Sequence, residues 1–408
     1  MNIIDILTER GYTKQFTHET EIRELFEKDK IVIYAGFDPT SNSLHVGHLL
    51  ILMLLKHLQL AGNKCIALLG GSTAMIGDPT GKSDMRKMLN KEEIDSNIQS
   101  IKIQMEHFIN FSDNEAILLN NSDWLLNLNY VDFIRDIGVH FSVNHMLSAE
   151  CFKNRLENGG LSFLEFNYML MQSYDFYYLH KNYDCVLQVG GDDQWSNQIF
   201  GVELIKKMSK KSAYAMTCPL LTTKDGKKMG KTEASGTLWL SKEKTTVFDF
   251  YQYWRNIDDA DVEKCLKLLT FLPIEDINKL CAIKGKEIIE AKKILAYEIT
   301  KIVHGEADAN EAKLRAESVF EKADYSNIPE IALTIENLEK TILDVLVFAK
   351  IVPSKNEGRR LVDQGGLYVN DNKISDQNFK LTEDMFSDGY VIVKKGKKNV
   401  YKFVKHIK

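Results

Sequence analysis

The 408-residue chain lacks closely spaced cysteines. Its six cysteines are scattered, and no two of them form a C-x-x-C pair. This spacing argues against zinc fingers and against a disulfide framework. It fits a protein of a reducing compartment, so we expect a cytoplasmic location.

Long apolar runs are also missing. The longest, Leu49–Leu55, is interrupted by Lys56, whereas a membrane-spanning helix needs about 20 apolar residues. The N-terminal segment MNIIDILTERGY has acidic residues early and no apolar signal core, so we expect no targeting segment. The sequence contains no internal repeats and no low-complexity segment. A soluble protein without a membrane partner is expected.

An excess of positive charge is absent too. Lysine and arginine number 52 against 57 acidic residues, which gives a net charge of −5. Any nucleic-acid binding must therefore use local basic patches, because the overall field is mildly repulsive. The apolar fraction of 44% and the charged fraction of 27% are those of a globular protein. The length predicts two or three domains.

Residues 31–50, IVIYAGFDPTSNSLHVGHLL, combine a short apolar strand, a turn and the start of a helix. The pattern predicts a strand over Ile31–Ala35 and a helix from about His45. His45 and His48 are three residues apart, so both rings lie on one helix face. The helix N-terminus beside them favours an anion, and Gly47 lets a flat group approach the backbone. Taken alone, the two histidines could equally be metal ligands or surface residues.

Apolar runs separated by helical segments predict a parallel sheet. After the first strand, further strands are predicted at Lys64–Gly71, Glu115–Leu119, Asp184–Gly190 and Tyr214–Leu221. Such βαβ units are right-handed and bind ligands at the carboxyl ends of their strands. The segment GGSTAMIGDPTGKSDMRK follows one of these ends, and it is either a turn-rich connection or a loop that lines a pocket.

A polar stripe marks the segment FNYMLMQSYDFYYLH. Tyr168, Gln172 and Asp175 fall at i, i+4 and i+7 of a helix, which places them on one face. Stripes of this kind often face water. Here apolar residues cover most of the remaining circumference, so the helix is expected to be buried and its stripe to face a pocket.

Two further segments carry glycine with charged residues. GGDDQW, residues 190–195, follows a predicted strand and could alone be a calcium-type loop or a helix cap. LLTTKDGKKMGKTEASG, residues 220–236, clusters lysines among glycines, which usually indicates a solvated surface loop.

Together these segments resemble the class I aminoacyl-tRNA synthetases, specifically the bacterial-type tyrosyl-tRNA synthetases. HVGH at 45–48 resembles their HIGH signature, GGDDQ their GxDQ motif, and KMGKT at 228–232 their KMSKS signature, with Gly and Thr at the serine positions. The resemblance implies a ligase that activates L-tyrosine with ATP and transfers it to tRNA(Tyr). It implies an α/β fold. The Rossmann-like parallel-sheet catalytic domain would span 1–224, with a connective insertion at about 125–160. An α-helical domain (225–322), a linker (323–340) and a small α+β S4-type RNA-binding domain (341–408) would follow.

The resemblance implies a set of tyrosine contacts. Asp175 and Tyr34 would hydrogen-bond the phenol hydroxyl. The remaining contacts would be Asp78, Tyr168 and Gln172 at the ammonium group, Gln188 along the pocket and Gln194 on the carboxylate side. A site that presents two polar groups to a hydroxyl rejects phenylalanine, since both groups then lose their partner. Tyrosyl-tRNA synthetases are the known case, with roughly 10⁵ discrimination and no editing.

The resemblance also implies ATP contacts and groups that stabilise the triphosphate. The ATP contacts would be Gly36, Asp38, Thr40, His45, His48, Gly191, Asp193 and Lys231. Charge on the leaving pyrophosphate would be stabilised by Thr40, His45, Lys228, Lys231 and Thr232, with His48 at the nucleoside and Lys82 and Arg86 on a basic loop. Mg²⁺ is expected with ATP, without a dedicated protein metal site.

The C-terminal segment SKNEGRRLVDQGGLYVNDNKI resembles the S4 domain. Ser354, Lys355, Arg359 and Arg360 would open a helix whose basic side faces RNA phosphates. GGLYVNDNKI predicts a β-hairpin that turns at residues 370–372, and a lysine-rich tail follows it. That tail could also be merely solvated.

The family forms homodimers through its connective insertion, so a homodimer is expected. The apolar residues around Phe163, Leu164 and Phe166 would serve that interface or, equally well, the core.

Two alternatives remain at this point. Tryptophanyl-tRNA synthetase shares the fold, but the pairing of Tyr34 with Asp175 and the C-terminal module disfavour it. A non-catalytic RNA-binding paralogue would have lost signature residues, and the main ones are present. Ala35 and Ser83 depart from the family, which often has a polar residue and a lysine there.

Overall fold

The computed structural model describes residues 2–80, 89–112, 114–232, 236–282, 288–321, 328, 330–387, 389–396 and 399–405, without the side chains of 154, 158, 231, 232 and 319–321. The chain divides into two compact units, Met1–Glu306 and Ala307–Lys408. Within the described ranges, no helix is both long and apolar enough to cross a membrane. All six cysteines are free thiols.

A six-stranded sheet forms the centre of the N-terminal unit. Its strands are β1 (Gln15–Phe16), β2 (Val32–Phe37), β3 (Lys64–Leu69), β4 (Ala116–Asn120), β5 (Cys185–Gly191) and β6 (Tyr214–Cys218), in the spatial order β1-β6-β5-β2-β3-β4. All pairs are parallel except β1 with β6. The sequence predicted the five parallel strands. It did not predict β1, because two residues carry no periodicity.

The order of the strands reverses between β2 and β5. From this pair, β3 and β4 extend the sheet on one side and β6 extends it on the other. Tyr34 of β2 pairs in register with Gln188 of β5. The connections on the two sides diverge here, which leaves a crevice at the carboxyl ends of the strands, where α/β sheets bind ligands.

Helices cover the sheet and extend the N-terminal unit beyond it. They are α1 (Ile3–Arg10), α2 (Glu19–Lys28), α3 (Val46–Leu60), α4 (Thr73–Ile76), α5 (Lys91–Glu106), α6 (Ser122–Leu125), α7 (Tyr130–Asp136), α8 (Val143–Ser148), α9 (Glu150–Asn158), α10 (Phe163–Tyr183), α11 (Trp195–Ser209), α12 (Val247–Arg255), α13 (Val262–Leu269), α14 (Ile274–Cys281) and α15 (Ile288–His304). Short 3₁₀ turns lie at Gly138–His140, Asp192–Gln194 and Asp259–Asp261. A small ribbon pairs β7 (Lys231–Thr232) with β8 (Gly236–Thr237).

Two helices bring the predicted binding residues to the crevice. α3 is buried on most of its surface and begins directly after His45, whose side chain caps it. α10 begins at Ser162, which forms a capping box with Glu165. A buried ion pair between Glu165 and Arg155, 2.8 Å long, fixes this end of α10.

The helical region after β6 packs on the sheet region within the same unit. α13 lies against α1 and α3. The Arg10 guanidinium donates to three backbone carbonyls at the end of α13 and just beyond it, those of Lys267, Thr270 and Leu272. These hydrogen bonds tie α13 and the segment that follows it to α1, and α13 also packs on α3, which begins after His45.

The C-terminal unit has its own sheet and core. Its elements are α16 (Glu306–Glu321), β9 (Glu330–Leu333), α17 (Ile335–Glu339), α18 (Ile342–Phe348), α19 (Lys355–Asp363), β10 (Leu367–Val369), β11 (Asn372–Lys373), β12 (Tyr390–Lys395) and β13 (Asn399–Lys405), with a 3₁₀ turn at Glu383–Phe386. The strand order is β11-β10-β12-β13-β9.

Two details of this unit differ from the sequence prediction. Residues 330–339, predicted as linker, form β9 and α17, and β9 pairs in parallel with β13. A four-residue strand whose partner lies about 70 residues away leaves little local signal. The predicted hairpin is present, and Asn370 and Asp371, both with positive φ, make its two-residue turn. Asn372, placed in the turn by the sequence, already belongs to β11.

Candidate active site

A cavity of about 530 Å³ lies at the carboxyl ends of β2 and β5. Its walls contain most of the residues singled out in the sequence: Tyr34, Gly36, Asp38, Thr40, His45, His48, Asp78, Tyr168, Gln172, Asp175, Gln188, Gly191, Asp193, Gln194 and Lys228. Lys82 and Arg86 lie outside the described residues, and so do the side chains of Lys231 and Thr232. Segments from five parts of the chain therefore meet at one cavity.

His45 and His48 stack on each other at the entrance to α3. Their ring centroids are 3.8 Å apart and their planes differ by 11°. His45 Nδ1 accepts from the Gly47 N–H at 3.1 Å, and His48 Nδ1 accepts from the His45 N–H at 3.3 Å. A neutral ring whose Nδ1 accepts carries its proton on Nε2. Both rings can therefore offer Nε2–H as a donor.

The segment of residues 220–236, which clusters lysines among glycines, is linked at Gly230 to the first turn of α3. The Leu238 N–H donates to Gly230 O at 2.7 Å, and the Val46 N–H donates to Leu238 O at 3.3 Å. Gly230 has a φ of 78° and a Cβ there would lie 3.3 Å from Val46 Cβ, so a side chain would be strained as well as crowded. The two signature-like motifs thus share one backbone network.

Tyr253 of α12 holds the same segment from the other side. Its hydroxyl accepts the Gly230 N–H at 2.8 Å. The buried side chain of Met229 contacts Cys265 of α13. The segment is therefore anchored at two consecutive residues, which the sequence analysis did not predict.

The two aspartates of GGDDQW have different environments. Asp192 accepts from Gln15 and Thr217 at 2.7 and 2.8 Å and joins the edge of the sheet. Asp193 lines the cavity, with one oxygen 3.6 Å from Lys228 Nζ. Burial raises the pKa of Asp193, and the charge of Lys228 opposes that rise.

Asp175 lies at the closed end of the cavity and is 2% exposed. Trp124 Nε1 donates to one of its oxygens at 2.7 Å, and Asn121 Nδ2 donates to the other at 2.9 Å. Burial raises the pKa of Asp175 to about 7, although both hydrogen bonds favour the ionised form. Each oxygen retains capacity for a further donor.

Five other side chains that line the cavity have buried polar atoms without a hydrogen-bond partner among the described residues. The atoms are Tyr34 Oη, Thr80 Oγ1, Gln172 Oε1, Gln188 Oε1 and both amide atoms of Gln198. Burial, with the nearby charge of Asp175, raises the pKa of Tyr34 well above its ordinary value. Buried polar groups are normally paired, so the cavity is suited to a ligand with polar atoms.

Asp38 and Tyr168 form a hydrogen bond that the sequence did not predict. Tyr168 Oη donates to one Asp38 oxygen at 2.9 Å, and Thr73 Oγ1 donates to the other at 2.8 Å. A Cβ at Gly70 would lie 2.0 Å from this carboxylate, so glycine is required there. From the resemblance we expect Tyr168 to contact the substrate ammonium group together with Asp78. In the structure the Tyr168 hydroxyl donates its hydrogen bond to Asp38.

Asp78 and Gln194 are joined by a hydrogen bond in the wall of the cavity. Gln194 Nε2 donates to Asp78 Oδ2 at 2.7 Å, while Asp78 Oδ1 accepts the Thr80 N–H at 2.9 Å. Gln194 Oε1 accepts from Asn197 at 3.2 Å. Gln194, which we expect on the carboxylate side of the substrate, is therefore hydrogen-bonded to Asp78, which we expect at the ammonium group.

Sequence reasoning missed the residues that position this site. Asn121 and Trp124 bond Asp175, Thr73 bonds Asp38, and Tyr253 bonds the loop. A signal existed for the first pair, since both follow a predicted strand at its carboxyl end. Nothing local in the sequence indicates the role of Tyr253, which depends on how α12 packs.

Two family models match the chain and together cover most of it. Residues 27–321 match the model described as tRNA synthetases class I (W and Y). Residues 320–404 match the model described as Tyrosine--tRNA ligase SYY-like C-terminal domain. The first leaves both amino-acid specificities open, whereas the second is described for the tyrosine enzymes.

Similar proteins extend this match to the full length. The chain is 60% identical over 404 residues to the tyrosine--tRNA ligase of Clostridium perfringens, covering 99% of both chains. It is 61% identical over 402 residues to that of Clostridium beijerinckii, covering 98% of both. A C-terminally truncated mitochondrial tyrosyl-tRNA synthetase from Aspergillus nidulans has a similar structure, with a TM-score of 0.70 and 31% identity over 78% of this chain and 94% of that one.

The fold, the residues that line the cavity and these matches all indicate a class I synthetase. The parallel sheet with its crevice is that of a class I synthetase, and the alternative of a tryptophan enzyme is disfavoured by the relatives that match over the full length. The chain therefore belongs to the tyrosine–tRNA ligase family of class I aminoacyl-tRNA synthetases.

Proposed function

We propose that the cavity binds L-tyrosine at its closed end and ATP at its open end, and joins them to tyrosyl-adenylate. The pair formed by Tyr34 and Asp175 carries this proposal. Both are almost fully buried, Tyr34 Oη has no partner in the described chain, and Asp175 can accept one more hydrogen bond. A phenol hydroxyl, which donates and accepts, matches this pair. The benzene ring of phenylalanine does not.

The first step needs no nucleophile from the protein. A tyrosine carboxylate oxygen attacks the α-phosphorus of ATP, the bond to the β-phosphate breaks, and pyrophosphate leaves. Positioning and charge stabilisation supply the rate. The terminal ribose hydroxyl of tRNA(Tyr) then attacks the carbonyl carbon of the adenylate, and AMP leaves.

The open end of the cavity carries groups suited to the triphosphate. The stacked His45 and His48 present Nε2 donors beside the helix N-terminus, and Lys228 adds a positive charge. Thr40, Lys231 and Thr232 are proposed to join them, as are Lys82 and Arg86. Gly36 and Gly191 would leave room for the nucleoside, and Asp38 and Asp193 would meet it. We expect Asp193 to accept from ribose hydroxyls, with Lys228 exchanging its contact with Asp193 for phosphate.

Mg²⁺ is proposed to enter with ATP. Within the part of the chain that the structure describes, no three His, Cys, Asp or Glu side chains group in a way that could hold a metal ion. Asp38 already accepts two hydrogen bonds, and Asp193 faces Lys228. The ion would thus be held by phosphate oxygens, where it neutralises charge.

The proposal is tested by charging a tRNA(Tyr) transcript with labelled tyrosine. The purified chain is expected to form acid-precipitable tyrosyl-tRNA in a reaction that requires ATP and releases one AMP per tyrosine. Failure to charge tRNA(Tyr) from a bacterium related to the clostridia would contradict the proposal.

Replacing Tyr253 with phenylalanine is expected to slow adenylate formation roughly 3- to 10-fold, because the Gly230 N–H loses its acceptor and the loop loses one anchor. The KM for ATP should rise, while the dissociation constant of tyrosine stays unchanged. Pyrophosphate exchange measures the KM for ATP, and equilibrium dialysis measures the dissociation constant of tyrosine. Tyr368→Phe, at a partly exposed tyrosine of β10 in the C-terminal unit, is the matched control, and equal losses in both variants would refute the anchoring role.

We propose that the C-terminal unit is an S4-type module that binds tRNA through α19. Ser354 caps this helix, and Arg359 and Arg360 are exposed on it, while Lys355 lies 2.5 Å from Asp344. The lysines of the tail are less suited to the role. Lys402 is paired with Glu330 at 2.9 Å and Lys405 with Glu383 at 3.6 Å.

The double variant Arg359→Gln, Arg360→Gln is expected to raise the KM for tRNA about tenfold at physiological salt. The slope of log K against log salt should also flatten by about 1 to 2, since one or two phosphate contacts are lost. Tyrosine activation without tRNA should not change. Lys394→Gln, at a lysine paired with Asp371, is the control. An unchanged salt slope would argue against the module's contact with phosphates.

A homodimer through the insertion is proposed from the apolar residues exposed there. Large apolar side chains that are half or more exposed concentrate between residues 126 and 163: Leu126, Tyr130, Val131, Val139, Val143, Leu156 and Phe163. Such a concentration is typical of an interaction site. Phe166, by contrast, packs on the cluster around Phe152 and Met169.

Sedimentation should give twice the chain mass for the wild type, and Val139→Asp should shift it toward the monomer. Leu314→Asp, at an equally exposed leucine of α16, should leave the mass unchanged. A monomeric wild type at micromolar concentration would exclude the proposed interface.

A further inference from the structure

Gln198 is a fully buried amide in the wall of the cavity, and neither of its polar atoms has a hydrogen-bond partner in the described chain. Tyr34, Gln172 and Gln188 share this property at the same cavity, with one polar atom each. For those three side chains, the resemblance supplies a partner, the substrate tyrosine. Neither the motifs nor the comparisons assign a role to Gln198.

A buried amide that lacks both partners destabilises a fold, because its hydration is lost without replacement. An apolar side chain of the same length would fill this space without that cost. The amide is therefore expected to have a partner supplied from the cavity side.

The position of the amide follows from Gly190 of β5. A Cβ at Gly190 would lie 2.7 Å from Gln198 Nε2, so the amide nitrogen occupies the space that a side chain at this position would enter. Gln188 and Gly190 are two residues apart on one strand and therefore face the same side of the sheet. Gln198 Nε2 thus lies on the same face of the sheet as Gln188, and both side chains line the cavity.

The same geometry indicates which part of the substrate lies there. Gln188 pairs in register with Tyr34, at the proposed phenol end. Gly190 is about 7 Å further toward the carboxyl end of the strand, a separation comparable to the length of a tyrosine side chain. Asp78, at the proposed ammonium end, is bonded to Gln194, one helical turn before Gln198 on α11. The backbone atoms of the amino acid would therefore lie beside Gln198.

We propose that Gln198 Nε2 donates a hydrogen bond to the α-carboxylate of the amino-acid substrate. This role rests on the proposed function, since it presumes that tyrosine binds in this cavity. Gln194 Nε2 already donates one N–H to Asp78, and Gln194 Oε1 accepts from Asn197, so Gln198 adds a further amide donor at this end of the cavity. Gln198 is then a binding residue that holds the attacking carboxylate in place.

The test compares tyrosine with tyramine, which lacks the carboxylate, by isothermal titration of the full chain. For Gln198→Met, which keeps the length and removes both polar atoms, the dissociation constant of tyrosine should rise at least tenfold. That of tyramine should change less than twofold. The melting temperature should be equal or higher, since the unpaired polar atoms are gone. Gln198→Glu should weaken tyrosine more than tyramine, because a carboxylate would face a carboxylate.

The outcomes separate the two proposals. Equal effects on tyrosine and tyramine, in either variant, would overturn the role of Gln198 and leave the proposed function intact. A raised melting temperature with unchanged tyrosine binding would do the same. If the wild type binds neither molecule, the proposed function fails together with this inference. Should Gln198→Met not fold, Gln198→Glu alone decides by the ratio of its two effects.

Discussion

Replacing Asp175 with asparagine is expected to remove most of the preference for tyrosine over phenylalanine. The carboxylate accepts from Asn121 and Trp124 and, in the proposal, from the substrate phenol. An asparagine has one acceptor oxygen, so its NH₂ group must face a donor. We expect kcat/KM for tyrosine to fall about 10²- to 10³-fold, which corresponds to the loss of one charged hydrogen bond and the mispairing of another group. Phenylalanine, which makes no such bond, should be affected far less.

Pyrophosphate exchange with each amino acid measures the ratio of the two kcat/KM values. Asp276→Asn, at an exposed aspartate of α14, is the matched control and should leave the ratio unchanged. A ratio that also stays constant in Asp175→Asn would show that the phenol is recognised elsewhere.

The pH dependence of tyrosine binding gives a second measure of the same residue. Burial raises the pKa of Asp175 to about 7, and the ionised form is the one that accepts from the phenol. The affinity of the wild type should therefore fall as the pH falls below 7, because the proton must leave before tyrosine binds. In Asp175→Asn this slope between pH 5.5 and 7.5 should disappear.

Replacing His45 with asparagine is expected to lower the rate of adenylate formation about 10²- to 10³-fold, the usual cost of removing one donor to transition-state charge. Asparagine is among the best N-cap residues, so the cap of α3 that His45 provides is kept. The variant therefore separates the imidazole's role at the triphosphate from its role at the helix end. Tyrosine binding and the melting temperature should stay close to those of the wild type.

The chain offers a matched control for this change. His18 occupies the N-cap position of α2 without a side-chain capping bond, so His18→Asn makes the same substitution at the same kind of position. It should leave the rate unchanged and stabilise the fold slightly. A loss of melting temperature in His45→Asn in proportion to the loss of rate would assign the effect to the helix end.

The parts of the site that lie within one short segment of the sequence were predictable. HVGH follows a strand and opens a helix, and the stripe of Tyr168, Gln172 and Asp175 lies on one face of α10. Their backbone positions follow from periodicity alone, and the structure places them at one cavity. The class of enzyme followed from the motifs and is confirmed by the full-length relatives.

The hydrogen-bond partners were not predictable, because they come from elements that meet only in the folded chain. Asn121 and Trp124 reach Asp175 across about 50 residues, and Tyr168 reaches Asp38 across 130. The same reason applies to β9, whose partner strand lies at the other end of the C-terminal unit. Lys402 appeared as part of a basic tail and is instead buried against Tyr390 and Glu330.

The central claim is that Tyr34 and Asp175 make this cavity specific for tyrosine. Amino-acid-dependent ATP–pyrophosphate exchange with tyrosine, tryptophan and phenylalanine, each tested separately, examines it most directly. Exchange should be rapid with tyrosine, and kcat/KM with phenylalanine should be lower by several powers of ten, as for other enzymes of this class. Tryptophan should give no exchange above background. Absence of exchange with tyrosine, or comparable exchange with phenylalanine, would contradict the account.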